Sequence, residues 1–312
     1  MQMGGHNLDQ VDRELIALLE HDGRAPFSKL AEELDLSTDA VSARFKRLES
    51  GGIVRVIGMV SPSMVGYDTI AALAITSYGD TGELIERLTE LPQVTFLAST
   101  RGEFNVLGEL ACADAEKLMT VAYDVIPSLT SGVQRVEVWD FLRVDKWNTG
   151  LRHAPEPSSS PQAVQLDPED IMVLQLLQQN ARLRYTELAD ALDLSYSVAR
   201  RRSQSLFDSG VVVAAVVVDR ISVQHRVMAT VGLNITGDPR PALTAIAANP
   251  DVEILIRTSG RYQAIAEVRC PSLADLAELI DEHLATAEGV VSATAHVYTR
   301  IAKLPAQWSF KG

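Results

Sequence analysis

The 312-residue chain is sparing in several respects, and each shortage excludes something. Two cysteines are too few for a disulfide scaffold. They fit a cytosolic protein with reduced thiols. No uninterrupted apolar run reaches the ~20 residues that a membrane-spanning helix needs. The first ten residues lack the cationic stretch followed by an apolar one that makes a signal peptide. Positive charge is scarce too: 28 Lys and Arg face 41 Asp and Glu, a formal net charge of −13. A nonspecific polycation that wraps nucleic acid is thereby excluded, but a local basic face is not. No glycine-rich phosphate loop or nucleophile–base pair appears. No Cys-x-x-Cys pair or His/Cys cluster stands at metal-ligand spacing, so neither metal nor cofactor is expected. The six histidines, His6, His21, His153, His225, His283 and His296, are scattered like ordinary surface or half-buried residues.

What is present is a foldable composition, 46% hydrophobic and 22% charged, at a length that favours about two domains. Those domains are written twice. Shifted by 158 residues, the sequence overlays itself without a gap from Leu8 to Leu142. Leu8-Asp9 meets Leu166-Asp167, Asp12 meets Asp170, and Leu34-Asp35-Leu36-Ser37 meets Leu192-Asp193-Leu194-Ser195. Gly52 meets Gly210, Gly79-Asp80 meets Gly237-Asp238, Pro92 meets Pro250, Gly102 meets Gly260, and Cys112 meets Cys270. The period is too long for a solenoid and reads as a tandem duplication of a two-part unit. The matched cysteines each end a predicted strand and read as small apolar residues. Between the copies, residues 147–165 hold Pro155, Pro157, Ser158-Ser159-Ser160 and Pro161, a polar linker.

The first part of each unit reads as a helix-turn-helix. Leu8, Val11, Leu15, Ile16, Leu18 and Leu19 have helical spacing, with Asp9 as N-cap and Asp12 in the first turn. His21-Asp22-Gly23 stops this helix, and Phe27 to Leu34 forms a second. After a tight turn at Asp35-Leu36, Ser37 caps a third helix that runs to about Ser50 and ends at Gly51-Gly52. Its inward face is Val41, Phe45 and Leu48; its outward face is Thr38, Asp39, Ser42, Ala43, Lys46 and Arg47, with Arg44 near the border. Such a helix enters a major groove with its small N-terminal residues at base edges, while Lys and Arg neutralise phosphates. The bland alternative is a small bundle with a solvated basic face. In the second copy Ser195 caps the third helix, and the outward set becomes Tyr196, Ser197, Arg200, Arg201 and Gln204, with Arg202 matching Arg44. If both copies bind DNA, they read different bases. Neither copy is basic overall: residues 1–58 carry seven basic and ten acidic side chains, residues 166–216 five and seven. Binding must therefore rest on acids on the first two helices and bases on the third.

The second part reads as strand–helix–strand–strand–helix–strand. The β-branched stretch Ile53 to Val60 is a connecting strand. Then come Ala71 to Ser77, a helix from Gly82 to Leu91, strands Val94 to Thr100 and Asn105 to Cys112, a helix from Asp114 to about Ile126, and a strand from Val133 to Val144. The second copy repeats this pattern from Met228 to Arg300. The pattern is ferredoxin-like, and it leaves one sheet face without helices; a second copy is the obvious cover. The fold class is α+β, a winged or plain helix-turn-helix domain plus a ferredoxin-like βαββαβ domain, the pair present twice. The expected domains are 1–58, 59–146, 166–216 and 217–312, around the linker 147–165.

Leu8-Asp9 with Asp12-Arg13, then Asp22-Gly23-Arg24, Leu30-Ala31, Leu36-Ser37, Val41, Arg44, Leu48 and Gly52-Ile53 resemble the Lrp/AsnC, or feast/famine, transcription regulators. The likeness covers both copies apart from linker and tails; it is looser in the second, where Asn180-Ala181-Arg182 replaces Asp22-Gly23-Arg24. It implies a DNA-binding regulator that assembles as dimers or higher oligomers and senses an amino acid or related metabolite at the effector-domain interface. The family's ligand-side turn corresponds to Thr100, Gly102, Glu103, Phe104 and Asn105 in the first copy. In the second it corresponds to Thr258, Gly260, Arg261, Tyr262 and Gln263. The glycines also suit a hairpin turn with positive φ. The fusion departs from the usual single unit and implies an intrachain pseudo-dimer, further homo-oligomers built from it, and an asymmetric operator on double-stranded DNA. The alternatives are an enzyme similar to the siroheme decarboxylases, which share this two-part architecture, and a small-molecule-binding module with degenerate DNA heads. The stretch Ser61 to Thr76 lacks the histidines a tetrapyrrole site would want, and the second copy offers only His225 and Arg226 there.

Overall fold

A computed structural model describes residues 8–60, 66–79, 81–147, 166–218 and 226–303. The linker from residue 148, with His6, His153, His225 and residues 61–65, lies outside them. The chain divides into two compact units, each assembled from both copies: residues 1–61 with 149–225, and residues 62–148 with 226–312.

The first unit holds the helix-turn-helix segments. In copy one these are α1 (Gln10–His21), α2 (Phe27–Glu33) and α3 (Thr38–Ser50), followed by strand β1 (Val54–Val60). In copy two they are α6 (Pro168–Gln179), α7 (Tyr185–Leu192), α8 (Tyr196–Asp208) and β6 (Val212–Val218). Asp9 caps α1 and Asp167 caps α6, each in a reciprocal pair with the acid three residues on, Asp12 or Asp170. Ser37 and Ser195 cap α3 and α8, as the sequence predicts. Asp35 and its duplicate Asp193 both take left-handed backbone in the turn, where a short polar side chain tolerates that conformation. The two copies join through an antiparallel ribbon in which Val54 faces Val218 and Val60 faces Val212. Leu15, Leu19, Leu30, Val41 and Leu48 of copy one pack in one core with Ala181 and Val216 of copy two. At Gly58 of β1 an added Cβ would lie 2.8 Å from the Leu177 carbonyl oxygen of α6, so the helix of one copy rests directly on the strand of the other.

The second unit pairs the βαββαβ segments: β2 (Thr69–Ser77), α4 (Gly82–Glu90), β3 (Val94–Thr100), β4 (Val106–Cys112), α5 and β5 (Val133–Trp147). Helix α5 runs from Ala115–Thr120 through a π turn at Val121–Val125 to Ile126–Leu129. Copy two supplies β7 (Val227–Ile235), α9 (Arg240–Ala248), β8 (Val252–Thr258), β9 (Ala264–Cys270), α10 and β10 (Val290–Lys303). Helix α10 is Leu273–Glu278, continued by a π turn over Leu279–Leu284.

The eight strands close into a barrel in the order β10-β3-β4-β2-β5-β8-β9-β7. Closure depends on two crossings. The far end of β5 pairs with β8, Phe141 opposite Thr258, and the far end of β10 pairs with β3, Tyr298 opposite Thr100. These crossings carry both last strands past their predicted ends at Val144 and Arg300, because the other copy's edge strand is there to be paired. Lys146, just beyond, donates to the Asn249 carbonyl at the end of α9; Lys303 donates to the Thr89 and Leu91 carbonyls at the end of α4. A cation at the carbonyl end of a helix is favoured there. Helices cover the outer faces, while Ala72, Ala74, Phe104, Leu107, Trp139, Ile254, Ile256, Tyr262 and Ile265 fill the inside of the barrel. The Cys112 and Cys270 thiols are buried among apolar residues. Burial pushes the Cys270 thiol up to about 11, in keeping with a packing role.

Candidate nucleic-acid interface and effector site

The third helix of each head presents the residues expected to meet DNA, but not all on the same terms. In copy one Ser37, Thr38, Lys46 and Arg47 are exposed and Ser42 is half-buried. Arg44 instead turns toward α1, where its Nη1 lies 2.6 Å from Asp9 Oδ2 and 2.8 Å from Asp12 Oδ1. Arg47 Nη2 is 2.6 Å from the same Asp12, whose side chain has no exposed surface. In copy two Arg202 repeats the clamp, with Nη1 2.7 Å from both Asp167 and Asp170, and Glu169 adds a third carboxylate. These hydrogen bonds raise the Arg44 and Arg202 guanidiniums above their ordinary value. The Arg44 bond leads in holding the Asp9 carboxyl below its own, and the Asp170 backbone N–H and Arg202 do the same for Asp167. Arg44 and Arg202 therefore lock the third helix onto the first, and their charge is largely neutralised before any phosphate arrives.

The freer cations are Lys46 in copy one and Arg200 and Arg201 in copy two, exposed and without an ion-pair partner among the described residues. Arg200, Arg201 and Gln204 line an open groove of about 710 Å³ with Tyr196, Ser197 and Asp208. The faces thus differ in kind: copy one is small and polar with one free lysine, copy two aromatic and doubly cationic.

In the barrel unit the two predicted effector turns converge. Gly102 and Gly260 both have positive φ, 125° and 98°, as a tight hairpin requires. The Thr100 and Thr258 hydroxyls each donate to the carbonyl four residues on, that of Phe104 or Tyr262, at 2.8 Å. Asn105 Oδ1 accepts from the Ser77 N–H and Gln263 Oε1 from the Ile235 N–H. Thus Thr100, Thr258, Asn105 and Gln263 fix the turns. The duplicated pair Glu103 and Arg261 meet directly, Nη2 to Oε1 at 3.0 Å. Arg135 and Glu137, missed in the sequence, complete the network: Arg135 bonds Glu103, and Arg261 grips Glu137 with Nε and Nη2 at 2.9 and 2.7 Å. The Arg261 bonds hold the Glu137 carboxyl below its ordinary value against the opposing effect of burial. Both guanidiniums lie over the Phe104 ring, at 5.6 and 5.3 Å from its centroid.

Beneath this network lies an aromatic cluster. Phe104 and Tyr262 set their rings edge-on to Trp139 at 5.7 and 5.0 Å, and the Tyr262 hydroxyl is 3.0 Å from His296 Nε2. Burial lowers the His296 imidazole below its usual range, so it sits neutral among the rings. Gly232 makes room: a methyl there would overlap the Tyr262 ring. Only the alternation of β5 and β10 could have flagged Arg135, Glu137 and His296, and alternation does not say which charges will meet.

Two capped helix-turn-helix heads on a shared ribbon and two βαββαβ segments closed in one barrel define a duplicated helix-turn-helix and ligand-binding-domain protein. The comparisons with known proteins agree. Residues 8–49 match the AsnC-type helix-turn-helix domain, 166–213 a winged helix-turn-helix DNA-binding domain, and 227–307 the Lrp/AsnC ligand binding domain. An HTH-type transcriptional regulator of Pyrococcus abyssi is 26% identical over 142 residues, 45% of this chain and 89% of its own length. The DNA-binding transcriptional activator DecR of Escherichia coli is 30% identical over 115 residues, 35% of this chain and 76% of its own. The chain belongs to the Lrp/AsnC family. Among solved structures, the siroheme decarboxylase NirDL superposes with a TM-score of 0.68 over 97% of this chain and 95% of its own, at 17% identity. That likeness establishes a shared fold across both copies. No helix of the described residues is long and apolar enough to cross a membrane.

Proposed function

We propose that the chain is a transcriptional regulator that binds double-stranded DNA sequence-selectively through its two unlike heads, and whose binding or assembly responds to a small metabolite, an amino acid by preference. It acts in the cytoplasm as an intrachain pseudo-dimer that builds larger homo-oligomers, and it is not an enzyme. The observation that carries this reading is the pair of serine-capped third helices with free cations and small polar residues outward: Thr38, Ser42 and Lys46 in one, Ser197, Arg200, Arg201 and Gln204 in the other. The Glu103–Arg261–Glu137–Arg135 network offers both charges that an amino acid's ammonium and carboxylate would seek.

The test is binding of the whole chain to its own upstream DNA against a scrambled duplex, across a salt series, with and without a panel of amino acids. Selective binding with a steep salt slope, shifted by one ligand, is expected. Equal binding to both duplexes at every salt concentration would defeat the reading. The fold shared with NirDL keeps the enzyme alternative testable: a Soret band from a bound tetrapyrrole on the purified protein would favour it.

A further inference from the structure

Where the two helix-turn-helix copies meet, a duplicated arginine pair is treated unequally. Arg182 of copy two is satisfied: Nη1 donates to the Gly23 carbonyl at 2.7 Å, Nη2 to the Ala25 carbonyl at 2.9 Å, and its guanidinium lies 4.4 Å from the Phe27 ring centroid. Its duplicate Arg24 makes no matching bonds. Its guanidinium lies 4.1 Å from the Phe207 ring centroid, and Nη2 is 3.5 Å from the Tyr185 hydroxyl. Its Nη1 is buried without a hydrogen-bond partner. Buried donors are rarely left so, and each exception calls for an explanation.

Arg24 opens onto a cleft of about 510 Å³, also lined by Arg182, Arg184, Tyr185, Thr186 and Tyr196. Among the described residues no carboxylate lines it. Glu187 is paired with Arg184; Asp22, which accepts the Arg24 backbone N–H, and Glu49 are near enough to act on Arg182. At the start of α7, which begins at Tyr185, the Glu187 side chain accepts the N–H of the N-cap residue Arg184 at 2.8 Å. The Arg24 guanidinium with its unpartnered Nη1, a phenol and a hydroxyl thus line one space with Arg182, whose Nη atoms are already bonded.

We propose that this cleft is an anion site that takes a phosphate group, held by the Arg24 guanidinium with Tyr185, Thr186 and Arg182 around it. A planar fork of N–H groups matches tetrahedral oxygens, and a dianion relieves the repulsion between Arg24 and Arg182. Because Arg24 belongs to copy one and Tyr185 to copy two, the occupant ties the two heads together. The phosphate can come from a free phosphorylated metabolite or from a DNA backbone; only the second source rests on the DNA-binding reading.

Inorganic phosphate is the probe, titrated into the whole chain without DNA at ionic strength held constant with chloride, and read by ³¹P line broadening and by the thermal midpoint. Saturable binding is expected, weakened at least tenfold in Arg24→Gln and unchanged in Arg55→Gln, an exposed cation on the ribbon. Should Arg24→Gln fail to fold, Tyr185→Phe and Thr186→Ala carry the comparison, each weakening binding threefold or more. No saturation by the native chain, or equal affinity in the native and variant chains, overturns the proposal. With the site established, DNA is added. Competition beyond the chloride control assigns the site to a backbone phosphate; simultaneous binding assigns it to a free anion. A chain that binds phosphate but no DNA would sink the regulator reading and leave the anion site standing.

Discussion

Asp12 has no exposed side-chain surface, and Arg44 and Arg47 both reach it while Asp9 donates its backbone N–H to it. Removing the carboxylate leaves two guanidiniums turned toward a neutral amide. Asp12→Asn is expected to destabilise the helix-turn-helix unit by about 2–4 kcal/mol, somewhat under the roughly 3–5 kcal/mol for a fully buried ion pair because Arg47 is more than half exposed. Asp9→Asn, at a half-exposed acid, should cost clearly less. Urea unfolding followed by helix signal checks this, and equal midpoints for the two variants would refute it. Glu267 makes the opposite kind of residue. Burial pushes its carboxyl up to about 7, and the nearby charges of Glu109, its own duplicate, and Glu253 add to the rise; the Tyr298 hydroxyl bonds it at 2.9 Å. The folded chain therefore holds a proton that the unfolded chain releases near pH 4.5. Stability from this group is full below pH 4.5 and is lost as pH rises to about 7, by about 3 kcal/mol in all. Glu267→Gln should flatten the thermal midpoint between pH 5 and 7.5; parallel profiles for native chain and variant would refute the assignment. Much of this scale was hidden from the sequence. Spacing put Arg44 at the border of the third helix but gave no sign of its acids, which sit on another helix and meet it only through the crossing of α1 and α3.

At the scale of elements, capping and periodicity were the legible signals. Asp9, Ser37 and Ser195 mark helix starts where the structure has them, and the β-branched runs became strands. Two things were not legible. The π turns in α5 and α10 leave no mark in a 3.6-residue pattern. The pairing of β5 with β8 and of β10 with β3 depends on which edge lies opposite, and a period of two says only which face is buried. The ribbon of β1 and β6 is where one side-chain atom decides the packing of elements. A Cβ at position 58 would press on the Leu177 carbonyl of α6 and on Val212, both at 2.8 Å, and a backbone carbonyl cannot swing aside. Gly58→Ala should therefore cost about 1–3 kcal/mol, as overpacking does. An unchanged denaturation midpoint would show that α6 is not seated on the ribbon as described.

At the scale of the whole molecule, the duplication removes the identity that a homodimer forces on its two DNA-reading helices. The ribbon, the caps and the arginine clamps are kept in both copies, so both heads hold a third helix in the same internal frame. The outward residues are free to differ, and they do: Lys46 with Thr38 and Ser42 against Arg200, Arg201 and Gln204. Palindromy in an operator mirrors two-fold symmetry in the protein, so unlike heads call for unlike half-sites. Phosphate neutralisation should be unlike as well. Arg200→Ala with Arg201→Ala should lower the slope of log affinity against log salt by about two, and Lys46→Ala by about one. Arg44→Ala, by contrast, should act through the fold, with a lowered thermal midpoint and little change in slope. The decisive comparison uses three duplexes: the native site, and two palindromes made by repeating either half. Both palindromes should bind at least about tenfold more weakly than the native site, since several mismatched base pairs at 1–3 kcal/mol each fall under one head. If one palindrome matched the native site, a single head would be doing the reading in both positions, and the divergence of the second face would need another cause.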